Sequence, residues 1–178
     1  MQGSEACVKD QYEHLIAGEW VKPNSGKYFE GFNPSNGERL GSYARGDAVD
    51  IDRAVRATEI GFTKWWSLDA YKRGQIMMEV ARLLRRDKDR IGYLESIDMG
   101  KPLAAAVQDA EVCARYFEFY AGLADKITGE TLPAPGKNLV YTLREPYGVS
   151  AQITPWNSPI NQAARGVGDP SAWSGGGC

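Results

Sequence analysis

From Asp47 to Lys126 the apolar residues recur at helical spacing, and a stretch of that length is usable only by a fold that packs several consecutive helices together. Ile51, Val55, Thr58 and Phe62 share one face of the first helix, which Asp47 or Asp50 would cap. A second helix follows Ser67 or Asp69, with Ile76, Val80, Leu83 and Leu84 expected inward and the basic run "RRDKDR" at its negative end. The interleaved aspartates make that run a solvated helix terminus rather than a nucleic-acid contact. "RIGYLESIDMGKP" predicts a short helix closed by Gly100 and Pro102, since glycine supplies a left-handed turn and proline forbids continuation. Leu103, Val107, Ala110, Ala114, Phe117 and Ala121 then trace one face of a long helix.

Different patterns flank this block. Before it, turn signals at "AGEW", "KPNSGK", "NPSNGE" and "ARGD" separate short runs that predict a small antiparallel β meander. After it, the period becomes two: "GETLPAP" and "LVYTLREP" predict a hairpin about Gly136-Lys137-Asn138. "YGVSAQIT" predicts a further apolar strand of a parallel sheet, running directly into "TPWNSP". In an open parallel sheet ligands bind at the carboxyl ends of strands, so that turn is where chemistry is expected. Pro155 fixes the backbone, Trp156 offers a flat apolar surface, and Asn157 offers a neutral NH2 donor suited to an oxyanion. A Pro-x-x-x-Pro turn over Pro155 to Pro159 that merely plugs the end of a sheet accounts for the same residues.

Charge and cysteine content narrow the function. With 21 basic and 23 acidic residues, the chain has no general attraction for nucleic acid or an anionic membrane. It has no run of apolar residues long enough to span a bilayer and no secretory signal, which makes the cytoplasm the default location. Cys7, Cys113 and Cys178 have no metal-like or disulfide-like spacing, and Cys113 reads as core. A single histidine, His14, leaves little material for a triad or a metal cluster and reads as a surface or packing residue.

Taken in order, "GEWV", "FNPSNGERLG", "AVRATEIGFTKW", "ESIDMGKPL", "RYFEFYAGLADKITGETLP" and "REPYGVSAQITPWNSP" resemble the NAD(P)-dependent aldehyde dehydrogenase superfamily over about residues 12 to 168. The resemblance implies an α/β fold, the N-terminal part of a Rossmann-type coenzyme-binding domain. That part would comprise the β meander, the helical segment and an oligomerisation hairpin at Lys126 to Glu145. It implies oxidation of an aldehyde to an acid with NAD or NADP, with Asn157 as the oxyanion-hole donor. Ile153, Thr154, Pro155 and Trp156 would border the coenzyme. Asp98 and the backbone near Phe32 match positions that help bind a monovalent cation in some members, although an acid near a helix end also serves as a cap or ion-pair partner. Ser158 departs from the pattern, which more often has an aromatic residue there.

Past Gly168 the resemblance lapses in "DPSAWSGGGC", so residues 169–178 are expected to be an atypical flexible tail. The family's coenzyme lysine, phosphate-binding turn, general-base glutamate and nucleophilic cysteine would all lie further on. Cys178, behind three glycines, has no base beside it to activate a thiolate. The expectation is therefore a truncated portion, inactive alone, whose aldehyde and choice between NAD and NADP are not written in these residues. The alternative is a non-catalytic fragment that pairs with intact subunits through its hairpin.

Overall fold

The computed structural model describes residues 8–173. Cys7 and Cys178, and the expectation about Cys178, lie outside them. Five short strands come first: β1 (Gln11–Tyr12), β2 (His14–Ile16), β3 (Glu19–Val21), β4 (Tyr28–Phe32) and β5 (Arg39–Ala44). They do not form the single antiparallel meander that the turn signals predict. β2 and β3 make a separate hairpin, while β5 lies between β4, antiparallel, and β1, parallel. The parallel pair joins residues about thirty positions apart, which local turn chemistry does not encode. Gly41 makes it possible, because a Cβ there would stand 2.9 Å from the Lys9 carbonyl oxygen. Tyr43 then packs its ring on Tyr12, with centroids 5.0 Å apart.

Helix α1 (Ala48–Trp66) begins in a capping box: the Asp47 carboxylate accepts from the Val49 and Asp50 amides, and Asp50 accepts from the Asp47 amide. Buried Asp50 also accepts from the Asn24 amide at 3.0 and 3.1 Å and lies 3.7 Å from His14 Nε2. These bonds set the helix rotation. They turn inward the side carrying Ala54, Ala57 and Thr58, and leave Ile51 63% exposed and Val55 outward, contrary to the apolar pattern.

The same correction applies to α2 (Ala70–Arg86). Its buried line is Arg73, Gly74, Met77 and Ala81, with Val80 and Leu84 beside it and Ile76 facing out. Gly74 lets the helix approach α4 (Leu103–Leu123) so closely that a Cβ would meet the Ala121 carbonyl oxygen at 2.8 Å. Arg73 ties the turn behind it: its guanidinium donates to the Leu68 carbonyl at 2.7 Å and lies over the Trp66 ring. At the rim, Arg85 donates to both Glu111 and Glu118 of α4.

Between them α3 (Lys88–Met99) ends at Gly100, whose φ of 70° is the left-handed cap expected from the sequence. Leu103 is half exposed, but the rest of the α4 face is inward as its spacing predicts, with Ala106 and Cys113 added to it. The core is Met77, Ala81, Cys113, Ala114, Phe117, Ala121 and Ala164, flanked by Trp65, Leu84, Ile160 and Val167.

Beyond α4, β6 (Thr131–Leu132) and β7 (Val140–Tyr141) pair antiparallel, Thr131 with Tyr141 and Leu132 with Val140. The strand expected over residues 148–154 is not formed. This segment carries no regular structure, and Ile153 is fully exposed. A strand needs at least one hydrogen-bonded neighbour, and none of the three small sheets formed by the described residues includes this segment. The Rossmann-type sheet is therefore not assembled by these residues. Helix α5 (Pro159–Trp173) comes next, so the first five residues of the expected tail continue a helix, and residues 174–178 lie outside the description. No helix among the described residues is long and apolar enough to cross a membrane.

Candidate functional site

The "TPWN" turn owes its place to the helix on its carboxyl side. Pro159 occupies the first helical position of α5, where its fixed φ suits the helix and its missing N–H costs nothing. The Ser158 carbonyl accepts from the Gln162 amide at 3.0 Å and so opens the helical ladder. Asn157 therefore adjoins Ser158, the residue whose carbonyl anchors the helix start. Its side chain is exposed, as are Ile153, Thr154, Pro155 and Trp156, the last at 79%. The structure brings these five residues together only as consecutive members of one open segment.

Directly beneath lies a polar cluster that the sequence does not announce. Lys101, just past the left-handed Gly100, donates to Glu95 Oε1 at 2.6 Å and to Asp109. Its backbone is fixed by the Ser96 hydroxyl, which donates to the Lys101 carbonyl at 2.7 Å. The ammonium also reaches Ser158 Oγ at 3.3 Å. Burial alone would lower the Lys101 pKa, but the bonds to Asp109 and Glu95 outweigh it and hold the group above the ordinary lysine range. Burial works against Asp109 too, yet its hydrogen bond to Lys101 leads the opposing effects that keep its carboxyl below the usual range. Only 5% of the Glu95 surface remains exposed, and its Oε2 has no partner among the described residues. Asn161 completes the cluster, donating to Ser158 Oγ at 3.1 Å and accepting from the Cys113 thiol at 3.3 Å. The "Ser-Pro" pair at a helix start and a charged residue inside the α3 apolar pattern were the available signals.

Cys113 is fully buried. Desolvation first, then the charges of Glu95 and Asp109, push its thiol up to about 12, so at neutral pH it is a protonated core group and not a nucleophile. A cavity of about 460 Å³ lies next to the cluster, walled by Tyr12, Tyr43, Leu94 and Ile160 with Glu95 and Asp98 at its polar side. On α5 it is lined by Pro159, Ile160 and Ala163, not by residues 153–157. Desolvation pushes the Asp98 carboxyl above its usual range. The end of α3 sits beside the turn after Phe32, since a Cβ on Gly100 would lie 3.0 Å from Pro34. Among the described residues, no three His, Cys, Asp or Glu side chains gather closely enough to hold a metal ion.

The arrangement can present one neutral amide donor on an anchored turn beside an exposed apolar and aromatic strip. The model of the "Aldehyde dehydrogenase family" matches residues 20–172, which extends the likeness past Gly168. The chain is 43% identical over 157 residues to the mitochondrial benzaldehyde dehydrogenase of Antirrhinum majus, covering 86% of this chain and 29% of that one. It is 39% identical over 166 residues to aldehyde dehydrogenase, cytosolic 1, of Macroscelides proboscideus, covering 90% and 33%. A point mutant of betaine aldehyde dehydrogenase from Staphylococcus aureus, solved in complex with NAD+, superposes with a TM-score of 0.86 at 31% identity, over 92% of this chain and 33% of that one. The chain thus spans about a third of the length of these relatives.

Proposed function

The chain belongs to the aldehyde dehydrogenase family, and from that premise we propose that it carries the N-terminal share of an active site that oxidises an aldehyde to a carboxylic acid with NAD or NADP. The observation that carries this reading is Asn157: an exposed amide donor on a helix-anchored turn, inside the stretch that the family model matches. When a tetrahedral intermediate forms at the substrate carbonyl, negative charge develops on the former carbonyl oxygen. The Asn157 NH2 would donate to that oxygen, and its neutrality means that no proton moves to it. Cys113, the cysteine among the described residues, is sealed and protonated, so in this reading it does not supply the attacking sulfur.

Residues 153–156 fit one wall of a dinucleotide site: Ile153 and Trp156 give apolar and aromatic surface, and Thr154 a hydroxyl. The coenzyme would supply the hydride acceptor when bound. The S. aureus relative was solved with NAD+, which supports NAD(P) as the acceptor class here. The relatives named above include one called cytosolic and one called mitochondrial, and the name of the former supports a cytoplasmic location for this chain.

The test combines the 178-residue chain with the complementary C-terminal portion of a relative and follows aldehyde-dependent NAD(P)H formation by absorbance. Asn157→Ala is expected to lower turnover by roughly a hundred- to a thousandfold, the usual loss for one oxyanion donor. An active assembly indifferent to that substitution overturns the assignment of Asn157. A second reading rests on the hairpin, where Leu132, Leu139, Val140, Tyr141 and Leu143 are all exposed. In that reading the arm pairs with intact subunits by strand addition. Co-purification of the chain with a full-length relative is expected, and a strictly monomeric chain in that mixture refutes it.

A further inference from the structure

We propose that Ser158 and Lys101 are positioning residues that clamp the Pro155–Asn157 turn onto α3 and α4 and so aim the Asn157 amide, an inference that rests on the oxyanion role given to Asn157 above. A serine hydroxyl has one proton to donate and two lone pairs to accept with. In Ser158 all three are engaged: Oγ accepts from Lys101 Nζ at 3.3 Å and from Asn161 Nδ2 at 3.1 Å, and donates to Asp109 Oδ2 at 3.5 Å. Its carbonyl meanwhile opens the α5 ladder. One residue therefore joins the end of α3, the first third of α4 and the start of α5, and Asn157 is its covalent neighbour.

The clamp is stiff at its far end. Lys101 follows the left-handed cap of α3, its carbonyl is held by Ser96, and its ammonium lies between Glu95 and Asp109. The lysine side chain is only 18% exposed, so these bonds escape most solvent competition. An aromatic residue, which the family pattern more often places at position 158, offers no such combination of bonds.

The deciding measurement is backbone 15N heteronuclear NOE on the 178-residue chain, read at Trp156 and Asn157 against α4 and against Val149 to Ile153. In the unaltered chain both amides are expected to match the helices. Ser158→Ala should drop them to the level of the open segment while α2 and α4 stay unchanged, and Ser158→Thr, which keeps the hydroxyl, should restore them. Lys101→Met should act like Ser158→Ala; if it unfolds the chain by stranding Glu95 and Asp109 without their cation, Ser158→Ala still decides, because it leaves those ion pairs in place. Unchanged NOE values in Ser158→Ala, or values in the unaltered chain already as low as the open segment, overturn the clamp. No activity is needed for this readout, so a failed clamp leaves the Asn157→Ala assay standing, and a failed assay leaves the clamp standing.

Discussion

At the scale of single residues, Cys113 is the most telling side chain. Its folded pKa is raised to about 12 from an ordinary thiol value of about 8.5, chiefly by desolvation. The folded state then binds more protons than the unfolded state above the ordinary value. The stability from a neutral buried thiol is fully present below about pH 8.5 and is lost as pH rises toward 12. Urea unfolding at pH 9.5 should accordingly give a stability lower than at pH 7 by roughly 1 kcal/mol from this group. Cys113→Ala should remove that slope while costing stability of its own. A pH-independent stability over this range in the unaltered chain would show that the thiol is accessible to water. Its neighbours Asn161 and Asp109 point the same way from the polar side: groups spaced far apart in sequence satisfy one another where α4 meets α5.

At the scale of elements, helix contact lines are set by where backbones approach. A Cβ on Gly92 would stand 2.5 Å from Val107 Cγ2 and 2.7 Å from the Val107 backbone nitrogen. Gly92→Ala should therefore destabilise the chain by about 1–3 kcal/mol, because α3 and α4 would have to separate. Gly122, inside α4 with nothing within 4 Å of its added Cβ, gives the contrast. Gly122→Ala should stabilise by about 0.5–1 kcal/mol through backbone entropy, and chemical denaturation of the two variants checks both signs. The existence of the helices, the Asp47 cap and the Gly100 stop are legible in the sequence because each depends on neighbours a turn away. Helix rotation is not, since buried charges decide it: Asp50 turns α1 and Arg73 marks the contact line of α2, while Ile51 and Ile76 face water. The parallel pairing of β1 with β5 is hidden for a related reason, being a contact between residues far apart in the chain. Residues 148–154 have the composition of a buried strand, but a strand is defined by its partners, and none is present among the described residues.

For the whole molecule, the site divides into a legible and an illegible part. The role proposed for Asn157 comes from the order of motifs around it, whereas the Lys101 cluster beneath it joins positions as far apart as 95 and 161 and emerges only when three helices are brought together. Everything between Leu143 and Asn157 lies outside regular structure, with Tyr147 and Ile153 fully exposed. Amide exchange over residues 147–154 should run near the unstructured rate while the inner turns of α2 and α4 resist it, as mass spectrometry of exchanged peptides would show. Slow exchange there would mean that the segment is covered in solution. Helix α5, by contrast, is seated on α4 through Ile160, Ala164 and Val167, with Arg165 donating to the Tyr116 hydroxyl at 3.0 Å. The covalent thread that delivers this helix is thus less well protected than the seat that receives it. A protease that nicks the thread should yield two bands on a denaturing gel yet a single particle of unchanged size in native sedimentation, because the severed helix has no reason to leave.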